Sequence, residues 1–261
     1  MANPCLIDVH AHLQDEKFAG EEEQLIANAR NSGVCRIINA ATCVPTSQAA
    51  IDLAERFAEC FATVGIHPHD ANSFDENSIA TIRALSAKKK VLAIGEIGLD
   101  FHYDFSPRDI QEKVLISLWN LACELNMPVV VHVREAYERF WPVVESLPSP
   151  KAVLLHCFSG DLGTAKKAAD KGYHFSIRGA LTFPKSELAR QVFAYLPEDL
   201  IHLETDCPYL APQPKRGKRN EPSLLPITFD FLADLRKCSR ERLFERLWQN
   251  ALNLFGSELS H

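Results

Sequence analysis

Cys5-Leu6-Ile7-Asp8-Val9-His10-Ala11-His12 is an apolar stretch that ends in two histidines separated by one residue. Side chains two positions apart on a β-strand point to the same face. The stretch therefore predicts a buried first strand, with His10 and His12 projecting together from its end. Two imidazoles on one face are half of a metal site. An isolated pair of this kind is more often two surface histidines, so a metal site requires further ligands at other strand ends.

The rest of the chain repeats one alternation, in which short apolar runs are followed by amphipathic segments typical of helices. Strands that lack a strict polar alternation are those buried on both faces of a parallel sheet. The pattern predicts an α/β protein, a (β/α)8 TIM barrel in a single domain over residues 1–261, with one or two closing helices in 224–255. The predicted strands cover residues 5–12, 35–41, 61–66, 91–96, 128–132, 152–156, 173–177 and 200–206.

Composition excludes some classes of protein. Apolar residues make up 46% and charged residues 24% of the 261 residues, which is ordinary for a globular domain. The net charge of -6 argues against a surface coated with positive charge for non-specific nucleic-acid binding, so a polyanion would need a local basic patch or a metal. Eight cysteines without a Cys-x-x-Cys pair predict reduced, mostly buried thiols of a cytoplasmic protein. The first residues lack a basic region followed by an apolar core and a cleavage site, and no apolar run approaches the length of a membrane span, so we expect neither a leader segment nor a membrane span.

Metal-binding side chains end several of the predicted strands. Catalytic groups of (β/α)8 barrels lie at the carboxyl ends of the strands, where these side chains would meet. Four imidazoles and two carboxylates suit Zn, Mn, Co or Fe, and the carboxylates also admit Mg. Asp8 and Glu204 share the strand faces of two of these groups, where they would orient ligands or form ordinary buried hydrogen bonds. The six predicted ligands are His10, His12, Glu96, His132, His156 and Asp206.

Short motifs around these residues resemble the TatD-type metal-dependent deoxyribonucleases and hydrolases of the amidohydrolase superfamily. The resemblance covers nearly the whole chain. The motifs are Asp-Val-His-Ala-His at 8–12, Gly-Ile-His-Pro at 65–68, Gly-Glu-Ile-Gly-Leu-Asp at 95–100, Val-His-Val-Arg at 131–134, His-Cys-Phe-Ser-Gly at 156–160, Glu-Thr-Asp-Cys-Pro at 204–208 and Arg-Asn-Glu-Pro at 219–222.

The resemblance implies that two divalent cations, Mg, Mn or Zn, are the cofactors and that Glu96 bridges them. His10, His12 and Asp206 would complete one site, and His132 and His156 the other. It further implies cleavage of phosphodiester bonds of DNA by a metal-activated water. Asp206 is the candidate proton acceptor in that reaction, and Glu204 is its alternative.

Several cations and histidines are candidates for binding substrate phosphates. His67 precedes a proline after the third strand, where a histidine that fixes its own turn is an equal alternative. Arg134 lies two residues beyond His132, and a surface ion pair is its alternative. The basic loop at 214–219 is either a phosphate contact or a solvated charge run. Its four cations are Lys215, Arg216, Lys218 and Arg219. The remaining histidines His69, His174 and His202 are predicted to be structural or to lie on the surface.

Two other functions compete with the nuclease hypothesis. The same ligand set could polarise the carbonyl of a carboxylic ester, amide or lactone, and such a substrate would not need Arg134 or the basic loop. A non-catalytic, metal-dependent binding module is the second alternative, and turnover of any substrate would exclude it. Nothing in the sequence indicates a membrane or an obligate protein partner.

Overall fold

Eight parallel strands form one sheet in which the strand order is the chain order. The computed structural model describes residues 5–260. Strands in chain order, each followed by a helix, define the predicted (β/α)8 barrel. The strands are β1 (Leu6–Ala11), β2 (Val34–Asn39), β3 (Cys60–Val64), β4 (Val91–Asp100), β5 (Val129–Arg134), β6 (Val153–Leu155), β7 (His174–Ile177) and β8 (Ile201–Leu203).

Nine α-helices lie within the described residues. No helix in residues 5–260 is both long enough and apolar enough to cross a membrane. The helices are α1 (Glu22–Asn31), α2 (Val44–Arg56), α3 (Ser78–Ser86), α4 (Arg108–Glu124), α5 (Tyr137–Glu145), α6 (Leu162–Asp170), α7 (Glu187–Tyr195), α8 (Leu225–Arg236) and α9 (Arg240–Phe255).

The chain divides into two compact units, which are described separately. The central unit is Ala40–Ser159, and the terminal unit combines the described residues before position 40 with those after position 159. In the terminal unit, β1 pairs with β2, and β7 pairs with β8. The backbone N–H of Asp206 donates to the His10 carbonyl at 2.9 Å, and the N–H of His12 donates to the Cys207 carbonyl at 3.0 Å. The first strand is therefore joined to the segment that follows the last one.

In the central unit, β4 pairs with both β3 and β5. Gly98 lies opposite His132 in this ladder and has a φ of +147°. A Cβ atom at Gly98 would lie 1.8 Å from the His132 carbonyl oxygen, so no larger residue fits there. The absence of a side chain lets the β4 backbone approach the strand that carries His132.

Two predicted strand ends differ from the structure more than the others do. The strand predicted to end at Glu96 continues to Asp100, and a register shift between Ile94 and Ile97 interrupts its regular pairing. The strand predicted to reach Asp206 ends at Leu203. Asp206 has a φ of 54°, which is not a strand conformation, so strand alternation cannot explain where its side chain points.

The prediction that all eight cysteines are reduced is also wrong, because Cys5 and Cys35 form a disulfide. The N–H of Leu6 donates to the Gly33 carbonyl, and Leu6 pairs with Val34. This places the two cysteines at the starts of neighbouring strands, with their Cα atoms 5.5 Å apart. Only two of the other cysteines are buried, so the prediction of mostly buried thiols fails as well. Cys60 and Cys207 are buried, whereas Cys43, Cys123, Cys157 and Cys238 are partly exposed.

Candidate metal centre

One carboxylate oxygen in the central unit faces three imidazoles. Oε1 of Glu96 lies 2.8 Å from Nε2 of His156, 3.2 Å from Nδ1 of His132 and 3.3 Å from Nε2 of His67. Glu96 is 2% exposed, so water does not compensate its charge. A buried carboxylate in this position is stabilised by a proton or by a metal cation. We call these four residues the Glu96 cluster.

Asp100 fixes the orientation of one imidazole in the Glu96 cluster. It is fully buried, and its Oδ2 atom lies 3.0 Å from Nε2 of His132 and 2.9 Å from Nε2 of His69. Burial raises the pKa of Asp100, but the hydrogen bonds from His132 and His69 outweigh it and hold the pKa well below its usual range. Asp100 is therefore an anion and accepts the His132 Nε2 proton. Nδ1 of His132 is left to face Glu96 as a metal ligand.

The charge balance at His132 favours a cation. Burial lowers the pKa of this imidazole, but hydrogen bonds to Asp100 and Glu96 raise it above its ordinary value overall. Two carboxylates thus attract positive charge to the position of one ring. A divalent ion held by Nδ1 of His132 and by Glu96 would satisfy the same attraction.

His67 behaves differently from the other imidazoles of the Glu96 cluster. Burial lowers its pKa to about 4, so the ring is neutral at pH 7. Its Nδ1 atom accepts the backbone N–H of His69 at 3.1 Å, which places the proton on Nε2. Nε2 then donates to Glu96 and offers no lone pair to a metal. His67 therefore holds both its own turn and the carboxylate.

The terminal unit contains a second cluster, formed by His10, His12 and Asp206. The Nε2 atoms of His10 and His12 are 3.3 Å apart, and Nε2 of His12 lies 3.4 Å from Oδ1 of Asp206. Two ligands that each bind one ion at about 2.1 Å are separated by about 3 Å, so the histidine spacing fits a shared metal. Arg178, directly after β7, forms an ion pair with Oδ2 of Asp206. We call this set the His10 cluster.

Buried acids beside the His10 cluster hold backbone and hydroxyl groups. Asp8 accepts the backbone N–H of Thr205 at 2.9 Å and also its hydroxyl. Burial raises the pKa of Asp8 to about 7, although these hydrogen bonds oppose the shift. Glu204 accepts the Ser176 hydroxyl at 2.6 Å. Asp8 therefore positions the segment that carries Asp206, which is the second of its two predicted alternatives, an acid that forms ordinary buried hydrogen bonds.

The two clusters contain all six predicted ligands, three in each unit. Imidazole nitrogens and carboxylate oxygens in these groups are the donors that borderline divalent metals prefer. The His69 ring is bonded to Asp100 beside the Glu96 cluster, and the ring nitrogens of His174 and His202 are 2.9 Å apart. That these three histidines are structural or lie on the surface stays a prediction.

Sequence reasoning missed three residues that position ligands. Asp100 lies four residues beyond Glu96, and a longer fourth strand would have placed it at a strand end. Arg178 follows a predicted strand, but a lone arginine there carries no specific signal. The fully buried Asn220 donates to the Thr205 and Tyr209 carbonyls, both at 2.8 Å, and so holds the segment around Asp206. Its motif was recognised, but no role was predicted for it.

Some of the side chains predicted to bind phosphate already contact other residues of the protein, and others are only exposed. The Arg134 guanidinium lies 4.7 Å from the centre of the Tyr103 ring. In the basic loop, Arg219 donates to Glu21 at 2.8 Å and to the Lys17 carbonyl at 2.6 Å. The Arg216 guanidinium lies 4.5 Å from the centre of the Phe183 ring. All four cations of the loop are exposed, and no ion pair within residues 5–260 is recorded for Lys215 or Lys218.

A (β/α)8 barrel with histidine and carboxylate clusters at or just beyond its strand ends is typical of metal-dependent hydrolases. The chain belongs to the TatD-related DNase family, whose model matches residues 7–256. The metal-dependent hydrolase YabD of Bacillus subtilis strain 168 is 36% identical over 96% of this chain and 98% of its own. The 3'-5' ssDNA/RNA exonuclease TatD of Pantoea ananatis is 37% identical over 96% of this chain and 99% of its own.

Solved structures share the fold of this chain. The crystal structure of YJJV, a TatD homologue from Escherichia coli K12, matches with a TM-score of 0.91 and 29% identity over 96% of this chain and 97% of that one. The phosphotriesterase homology protein of Escherichia coli, solved with phosphate in its active site, shares the fold with a TM-score of 0.71 at 15% identity. The match covers 97% of this chain and 99% of the chain in that structure.

Replacing Asp100 by Asn tests how His132 is positioned. The amide carries no charge to fix the proton on Nε2 of His132, so we expect metal affinity to fall by about 10- to 100-fold while the protein stays folded. Calorimetric titration with Mn²⁺ measures the change. Glu112→Gln is the control, since Glu112 pairs with Arg139 instead of a ligand. Equal affinity in Asp100→Asn and the control would contradict the positioning role.

Proposed function

We propose that this hydrolase cleaves phosphodiester bonds in single-stranded DNA, with RNA as a second substrate. The observation that carries the proposal is the Glu96 cluster, in which one buried carboxylate oxygen faces three imidazoles. A relative named for exonuclease action on single-stranded DNA and RNA is 37% identical over nearly the whole chain, which supports this choice of substrate.

The proposed cofactors are two divalent cations. Glu96 would bridge them, His10, His12 and Asp206 would complete one site, and His132 and His156 the other. When bound, such ions supply positive charge at the phosphoryl oxygens and lower the pKa of water. The family assignment and the chemistry of the donors support this arrangement, and Mg, Mn and Zn all suit it.

Asp206 remains the candidate to accept the proton from the attacking water. Its alternative, Glu204, is fully buried and already accepts a hydrogen bond from Ser176, so it is less available. Arg178 forms an ion pair with Oδ2 of Asp206, whereas Oδ1 of Asp206 faces Nε2 of His12 at 3.4 Å. Arg134 is the favoured phosphate contact of the central unit. His67 is a weaker candidate, because its Nε2 proton is directed at Glu96.

Hydrolysis of a carboxylic ester, amide or lactone is the second candidate function. The lactonase Lmo2620 of Listeria monocytogenes shares the fold at 13% identity, which leaves its substrate open for this chain. Cleavage of oligonucleotides, esters and lactones by one metal-loaded preparation separates the two functions. Faster turnover of an uncharged ester than of any oligonucleotide would favour this alternative.

Replacing Glu96 by Gln tests the proposed reaction. The substitution removes the charge that both proposed ions share, so cleavage of a labelled single-stranded oligonucleotide in Mn²⁺ or Mg²⁺ should be abolished. The thermal midpoint should change little, because strand-end residues on this face of a barrel serve function more than stability. Glu112→Gln again serves as the matched control. Cleavage by Glu96→Gln near the wild-type rate would rule out the assigned role.

The salt dependence of binding tests the basic loop. Each phosphate contact with a single strand contributes a slope of about 0.7 in log K against log salt. We expect Lys215→Ser with Lys218→Ser to lower the slope measured by fluorescence anisotropy by about 1.4, which is two such contacts. Arg219→Ser should instead loosen the loop, because Arg219 is bonded to Glu21 and Lys17.

The matched control for this double variant changes two lysines that precede the amino end of β4. Lys88 and Lys89 are exposed and precede Val91, where β4 begins, whereas Glu96 lies near the carboxyl end of that strand. Changing both lysines to Ser alters the net charge equally and should leave the slope unchanged. An equal reduction in the two double variants would show that only net charge matters, and the basic loop would then be a solvated face.

A further inference from the structure

An exposed aromatic pair lies on the segment between β4 and α4. Tyr103 is 48% exposed and Phe105 is 63% exposed. Their ring centres are 5.1 Å apart and their planes differ by 16°, so the two rings are stacked. Large apolar rings that are exposed together at a surface mark a binding site more often than a chance arrangement.

The fold holds this aromatic pair in a fixed position. The Gln111 side chain accepts the N–H of Asp100 at 2.8 Å and donates to the Ser106 carbonyl at 2.8 Å. The Ser106 hydroxyl donates to the His69 carbonyl at 2.9 Å. The backbone N–H of Tyr103 donates to Asp100 at 2.9 Å. The segment is therefore anchored at both sides of the pair, and binding would not have to order it first.

The pair lies next to the Glu96 cluster. The centre of the His69 ring is 4.8 Å from that of Phe105 and 5.4 Å from that of Tyr103. His69 is bonded to Asp100, which in turn is bonded to the predicted ligand His132. Only two side chains separate the exposed rings from a metal ligand. A group stacked on them would therefore lie close to the predicted metal ligand His132.

A cation accompanies the rings. The Arg134 guanidinium lies 4.7 Å from the centre of the Tyr103 ring and comes from the end of β5, two residues beyond His132. Aromatic faces combined with a cation are the pattern that binds single-stranded nucleic acid, in which unpaired bases stack and the backbone meets positive charge. An ester or lactone substrate offers neither feature in this combination.

We propose that Tyr103 and Phe105 form a platform on which a nucleobase of the substrate strand stacks, and that Arg134 binds the phosphate beside it. The inference rests on the proposed nuclease function and adds a determinant of substrate choice. Bases inside a duplex have no free face, so the platform selects single strands and unpaired ends. Stacking requires no particular base and no particular sugar, so DNA and RNA both fit.

The test combines a variant with an abasic substrate. The variant is Tyr103→Ala with Phe105→Ala, and the substrates are single-stranded oligonucleotides that each lack one base at a different position. For the wild type, kcat/KM should fall by about tenfold when one specific base is missing, which is the range expected for loss of one base stack. The double variant should show a similar fall on the intact oligonucleotide. It should also be insensitive to the missing base.

Two further variants keep the test specific. Tyr103→Phe with Phe105→Tyr preserves both rings and should keep the wild-type kcat/KM and its sensitivity to the missing base. Tyr195→Ala is the control for an exposed aromatic residue, since Tyr195 is 52% exposed and belongs to the other unit. Thermal midpoints near that of the wild type would show that the variants are folded.

Each outcome supports or overturns a defined claim. If the alanine double variant cleaves intact oligonucleotides as well as the wild type does, or keeps the wild-type sensitivity to the missing base, the platform is overturned and the nuclease function stands. If the wild type hydrolyses esters but no oligonucleotide in any of the metals, the proposed function fails and the platform fails with it.

Discussion

The Glu96 carboxylate is the constraint on which the central unit depends. Its Oε1 atom is buried against three imidazoles. A buried carboxylate is stable when the surrounding groups donate hydrogen bonds to it or bind a cation together with it. Asp100 accepts the Nε2 proton of His132, so Nδ1 of that ring faces Glu96. The His69 backbone N–H donates to Nδ1 of His67, so the proton of that ring is on Nε2. Of the three imidazoles that face Glu96 in the central unit, these contacts leave His132 and His156 as those that can share a metal with it.

The backbone makes this arrangement possible. Gly98 lets β4 approach β5 closely, because a Cβ atom at this position would meet the His132 carbonyl. The same strand continues to Asp100, so one element carries both the candidate bridging carboxylate and the carboxylate that orients His132. The segment that follows it carries the exposed aromatic pair. Metal binding, ligand orientation and the proposed base contact thus all depend on how one strand is placed.

The sequence predicted the fold, and it indicated six candidate ligands that the structure places in two clusters, because both predictions rest on local patterns. Apolar runs that end in His, Asp or Glu are visible without knowledge of long-range contacts. The same local reasoning identified Asp206 but assigned it to a strand, whereas it follows β8 with a positive φ. The start of helix α2 carries no such local signal, because its N-cap is Cys43, whose backbone N–H donates to the Thr46 hydroxyl oxygen at 2.9 Å.

What the sequence did not reveal depends on residues that are distant in the chain. The bond between His69 and Asp100 joins residues 31 positions apart, and the ion pair between Arg178 and Asp206 joins residues 28 positions apart. The Cys5–Cys35 disulfide depends on the register of β1 against β2, which no spacing of cysteines encodes. Arg219 was grouped with its basic neighbours by composition, but its contacts with Glu21 and Lys17 distinguish it from Lys215 and Lys218.

The most direct test of the central claim is anomalous diffraction from crystals soaked in Mn²⁺. The account predicts two peaks, both at bonding distance from Glu96, one of them also bound by His132 and His156 and the other by His10, His12 and Asp206. Peaks that do not contact Glu96, or a single peak at saturating Mn²⁺, would contradict the bridged two-metal site.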